Sequence, residues 1–155
     1  MAAIIFDVPA NTVALVAATA KTVLGVRAAT NVRLKVTETA VSFDGATSTN
    51  APAVVEYNQC TFGANPPGTN STAITPVKRD AGAAETIQAT AARNWTTEPT
   101  VQTLQRAADV GQYNGLLVEM LPFSSPHIVV GGGGFVIRCT SPNNVNFSGR
   151  ITAEE

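Results

Sequence analysis

His127 is the single histidine in a chain of 155 residues, so the sequence holds no pair of imidazoles to grip a metal or relay a proton. Between Pro126 and Ile128 it reads as a strand-end residue bonded to backbone. Cys60 and Cys139 form no Cys-x-x-Cys pair, which removes the spacing that zinc or redox chemistry uses. Both lie in strand-like surroundings and read as buried thiols acting as small hydrophobes, a disulfide between them being the alternative. The eleven carboxylates are spread singly apart from Glu154-Glu155, and spacing names no acid and base. Gly131 to Gly134 lack the Lys and Ser/Thr of a phosphate-binding loop and precede a strand, so a wide hairpin turn is expected there. No Gly-x-Ser-x-Gly elbow occurs, and the sequons at Asn70, Asn94 and Asn146 carry no weight without a secretion signal. The sequence therefore predicts no enzyme and no cofactor.

Composition points toward surfaces instead. Apolar residues make up 45% of the chain and charged residues 14%, well under the roughly 25% usual for soluble domains. Thr, Ala, Asn and Gly fill the gap, and a largely neutral surface is weakly protected against association. A formal charge of −1 and ten scattered Lys and Arg give no basic stripe for nucleic acid. No apolar run approaches a membrane span, and the opening Met1-Ala2-Ala3-Ile4-Ile5-Phe6-Asp7 lacks the basic and apolar regions of a signal peptide, which predicts synthesis in a cytoplasm.

The length suits one domain spanning 1–155. Its apolar positions alternate or form short runs rich in Val, Ile, Thr and Phe, punctuated by Gly, Pro and Asn. Strands are expected at Ile4 to Val8, Val13 to Ala17, Thr22 to Arg27, Val32 to Phe43, Ala53 to Phe62, Thr86 to Ala89, Leu116 to Leu121, His127 to Val130, Phe135 to Thr140 and Val145 to Glu154. In the fourth, the apolar parity changes between Val36 and Val41, predicting a bulge or turn near Thr37 to Ala40. In the last, Gly149 falls on the apolar side and marks a bulge or a close approach. About ten such strands make an all-β antiparallel sandwich or jelly-roll-like barrel. At most one short helix is allowed, within Ala81 to Arg93 or on the Val101, Leu104, Ala108 spacing. Residues 1–10 could extend as an arm, and the neutral stretch 63–75 is a long loop.

The order of features resembles the head decoration, or cement, proteins of tailed bacteriophages, a family of trimeric β-sandwich virion proteins. The resemblance runs through Lys21-Thr22-Val23-Leu24, Val41-Ser42-Phe43-Asp44-Gly45, Thr75-Pro76-Val77-Lys78, Glu98-Pro99-Thr100, Phe123 to Pro126, the Gly-rich turn leading to Phe135-Val136-Ile137-Arg138, and Arg150-Ile151-Thr152-Ala153-Glu154-Glu155. These span nearly the whole chain, and the likeness is architectural.

It implies a homotrimer made in a bacterial host's cytoplasm and seated on the outer face of a capsid, where it stabilises the lattice of the major capsid protein, with no nucleic acid or membrane partner. Capsid contact is then expected from the N-terminal segment (Ala2, Ile4, Phe6) and the long loop (Asn65, Pro66, Pro67, Asn70). Trimer contact is expected from a C-terminal hairpin (Phe135, Ile137, Arg138, Phe147, Ile151). The alternatives are a phage tail-tube or fibre-associated sandwich and a trimeric jelly-roll module that binds a ligand with aromatics such as Trp95, Tyr57 and Tyr113.

Overall fold

A computed structural model of the chain describes residues 3–46, 51–121 and 126–155. Ala2 and Phe123 to Ser125 lie outside the described residues. Twelve strands follow one another: β1 (Ile5–Leu15), β2 (Lys21–Arg27), β3 (Leu34–Phe43), β4 (Ala53–Cys60), β5 (Thr72–Ile74), β6 (Val77–Lys78), β7 (Thr90–Arg93), β8 (Gln102–Val110), β9 (Leu116–Met120), β10 (His127–Val129), β11 (Gly134–Thr140) and β12 (Val145–Glu154). Among the described residues there is no helix.

Two antiparallel sheets form. The first has the order β10-β3-β12-β1-β6, with β9 also paired to β3; the second runs β5-β7-β2-β11-β4-β8. With the four shortest strands set aside, the pairs β1–β12, β2–β11, β3–β9 and β4–β8 nest inside one another and divide between two sheets. That is a jelly roll, the all-β fold the strand pattern predicted.

Alternation builds the core. Phe6, Val8, Leu34, Val36, Tyr57, Phe135, Ile137, Phe147 and Ile151 are fully buried between the sheets. The expected parity switch in β3 is a bulge at Thr37: Ala153 of β12 faces Val36 while its neighbour Thr152 faces Glu38. A second bulge sits in β1, where Thr12 takes a φ of 54° and the register steps from Ala10 opposite Gly149 to Val13 opposite Phe147. This joins the two N-terminal strands read from sequence into one. Gly149 is a close approach: a Cβ there would stand 2.4 Å from the Ala40 carbonyl oxygen and 2.6 Å from Phe147 Cζ.

The second sheet is buried on both faces at its centre. Val136 points away from the main core and packs with Cys60, Phe62, Ala92 and Trp95 in a smaller cluster. This is why β2 and β11 read as continuous apolar runs, Val23-Leu24-Gly25-Val26 and Phe135-Val136-Ile137, where half-buried strands alternate.

Three expectations are corrected, and the one short helix allowed does not form among the described residues. The Val101, Leu104, Ala108 spacing is no helix: this stretch is edge strand β8, held by backbone pairing to β4, and Val101 and Leu104 are exposed. The strand read at Thr86 to Ala89 starts instead at Thr90, where pairing to β2 begins. The four glycines make no hairpin. They carry the chain from β10 in the first sheet to β11 in the second, passing so near the 29–30 backbone that a Cβ on Gly131 would stand 2.1 Å from the Thr30 oxygen. Likewise β11 and β12 lie in different sheets, so no C-terminal hairpin exists.

Candidate interaction surface

The residues expected to make contacts are mostly structural. From Ile5 onward the N-terminal segment is β1, paired to β12 on one side and, at Phe6 and Asp7, to β6 on the other. Phe6 has no exposed surface, and Ile4 is buried and exchanges backbone hydrogen bonds with Glu155. No arm leaves the sandwich over residues 4–10. Phe135, Ile137, Phe147 and Ile151 are wholly buried in the core, so their side chains cannot meet another copy. Arg138 is half-buried and paired with Glu56 at 3.1 Å.

The 63–75 loop is pinned rather than free. Asn65 is buried; its side-chain amide donates to the Glu98 carbonyl at 2.9 Å, its own carbonyl accepts from Trp95 Nε1 at 3.2 Å, and its Oδ1 accepts from Asn70 at 2.7 Å. Pro66 and Pro67 are half-buried, and the left-handed φ of Asn70, 52°, turns the chain toward β5. With Trp95 stacked on Phe62 at 6.0 Å, this loop is a lid over the outer face of the second sheet.

Among the described residues, the outer face of the first sheet carries no such lid. Pairing of β9 to β3 sets Leu116 opposite Ser42, Val118 opposite Ala40 and Met120 opposite Glu38. These three apolar side chains are 68%, 47% and 76% exposed and form one stripe. Beside them lies a neutralised ionic network. Arg79 grips both oxygens of Asp7 at 3.0 Å and reaches Glu38 at 3.6 Å, Arg150 pairs with Glu38, and Thr152 is held between Arg79 and Asp7. Burial alone would raise the Asp7 carboxyl, but the hydrogen bonds from Arg79 and Thr152 and the Arg79 charge outweigh it and hold the group below its ordinary value.

Among the described residues, neither β9 nor β8 has a further strand beyond it on this side of the sandwich. Among the described residues β8 ends the second sheet with no strand beyond it, and its side chains from Thr103 to Ala107 are exposed on both faces. The gap between sheets is crossed by an ion pair from Arg106 to the buried carboxylate of Glu119, and by Gln59, which donates to the Ile128 carbonyl at 2.9 Å. His127 stacks on Phe135 with ring centres 5.3 Å apart, and Phe135 on Tyr57 at 6.1 Å. Burial lowers the His127 pKa, with Glu119 opposing and Arg106 adding to the shift. Below this lies a cavity of about 200 Å³ lined by Cys60, Val101, Thr103, Val129, Val130 and Gly133.

Against known protein families, curated proteins and solved structures the chain finds no match.

The chemistry this region offers is contact chemistry. Burial pushes the Cys60 thiol up to about 12, and raises Cys139 as well, so neither is a thiolate nucleophile at neutral pH. Sequence reasoning missed the region because its marks are an edge strand disguised by helical spacing and outward apolar residues that alternate like core ones. The signal that was present is the run Leu116-Leu117-Val118, apolar on both faces in a strand whose partner β3 is polar on one.

Proposed function

We propose that the chain is a structural virion protein that binds the outer surface of a bacteriophage capsid as a homotrimer and stabilises the lattice of the major capsid protein. The observation that carries this is the outer face of the first sheet, where Leu116, Val118 and Met120 stand exposed among the described residues beside charges that neutralise one another. Such a face suits neutral protein surface: Arg79 and Arg150 are matched by Asp7 and Glu38, and an apolar stripe of this kind is stabilised by being covered. Behind it lies an all-β sandwich of two antiparallel sheets, the fold class that the resemblance implies. A ligand that bridges assembled subunits and ignores free ones strengthens the assembly by mass action, and many copies multiply a small gain per site.

The test is co-sedimentation of the purified protein with mature undecorated heads and with unassembled capsid protein, alongside light scattering of the protein alone. Binding to heads only, by a trimer, is the expected result. Binding to neither, or localisation along a tail by labelled electron microscopy, overturns it. The Met120→Asp variant should bind heads at least tenfold more weakly than the wild type while folding normally.

A further inference from the structure

We infer that the open edge of β8 is a receptor for an extended polypeptide strand, donated by a neighbouring protein and presenting a large apolar side chain near one end. Two independent features point to such a ligand. The first is backbone: β8 is nine residues long, pairs with β4 on one side, and has no neighbour among the described residues on the other. Its unpaired amides and carbonyls match an extended chain. The second is the open, mainly apolar cavity of about 200 Å³ where β8 begins, walled by Cys60, Val101, Val129 and Val130 together with Gln59, Thr61 and Thr103. An apolar cavity of about 150 Å³ already takes a benzene-sized ring, so this one has room for a single large apolar side chain. A free edge for main-chain hydrogen bonds beside a pocket for an alternate side chain is the two-part recognition used in strand addition.

The chemistry of the incoming strand follows from what it would meet. Arg106 is engaged with Glu119, the other side chains from the cavity to the middle of β8 are the uncharged Thr103, Leu104, Gln105, Ala107 and Ala108, and Asp109 is an exposed carboxylate near the far end. An uncharged segment fits. The register of β8 against β4 shifts between Leu104 and Arg106, leaving Gln105 as an extra residue, so regular pairing divides into a stretch beside the cavity and a stretch from Arg106 to Val110. Only the identity of the donor, a subunit of the shell, rests on the proposed function.

The experiment selects a library of random octapeptides on the immobilised wild-type protein and measures the enriched peptides against two variants. Ala107→Lys places on the edge the charge that natural edge strands use to block pairing, and Thr103→Phe fills the cavity; both positions are exposed, and thermal melting checks that each variant folds. Enriched peptides should be uncharged, carry a large apolar residue, slow amide exchange across 102–110, and lose at least tenfold in affinity for each variant. If no peptide is enriched, or those enriched bind both variants like the wild type, the inference is overturned. Heads provide the second arm. Heads that bind the wild type and both variants equally remove strand addition but leave the shell role standing, whereas peptides that discriminate while heads bind nothing leave the edge standing and remove the shell.

Discussion

Arg106 of β8 and Glu119 of β9 form an ion pair that ties one sheet to the other. Glu119 points inward and is 9% exposed, while Arg106 stays half in solvent. Replacing Arg106 by Met leaves a buried carboxylate uncompensated and should cost about 1–2 kcal/mol, the lower part of the range for buried groups because Arg106 is screened by water. Urea unfolding checks this. Adding Glu119→Gln should restore most of the loss, because the unpaired charge is then gone.

His127 sets a pH dependence. Its folded pKa lies below the ordinary 6.5, since burial disfavours the imidazolium. As pH falls past 6.5 the unfolded chain binds a proton before the folded one does, so stability is level above that point and declines below it. Melting temperatures through this window should show the decline in the wild type and a shallower one in His127→Gln.

Gly149→Ala should destabilise by about 2 kcal/mol, because the new methyl meets a backbone oxygen of β3 and the buried ring of Phe147, neither of which has room to give. Gly82→Ala is the control, where the added methyl would meet only Asp80 Oδ1 at 3.4 Å. Thermal melts of the two should differ by several degrees.

Both thiols should resist a thiol reagent at about pH 8 in the folded protein and react once it unfolds, with Cys60 the faster because it lines a cavity. They should never be recovered as a linked pair. Cys60 faces Gly134 across β11, five residues along that strand from Cys139, or about 17 Å, far beyond disulfide reach. Mass spectrometry after alkylation without reductant reads this directly.

Local patterning carried the fold. Alternation placed the long paired strands, and the parity change after Val36 placed the Thr37 bulge, because a buried face forces register to appear in the residues. Edge elements were hidden for the opposite reason. β8 buries little on either face, so its apolar spacing records no partner, and β5 and β6 are too short to alternate. The contact surface was misjudged where apolar residues were read as exposed contacts: Phe135, Ile137, Phe147 and Ile151 are core, while the exposed ones, Leu116, Val118 and Met120, look the same in a sequence. The pinning of Asn65 depends on a tryptophan and a glutamate some thirty residues away, which no local pattern encodes.

The nesting of β1 with β12 also governs how the chain must fold. Thr152 and Asp7, which hydrogen-bond to each other, stand 145 residues apart. At ribosomal speeds of about 5–20 residues per second, the first strand waits on the order of ten seconds before its partner has been made. For most of that interval the two-residue β6 is the one strand among the described residues that β1 can pair with. Closure is therefore a late event that follows synthesis of β12, and a topology this rich in distant pairings belongs among the slow folders, taking milliseconds to seconds once all its strands are present.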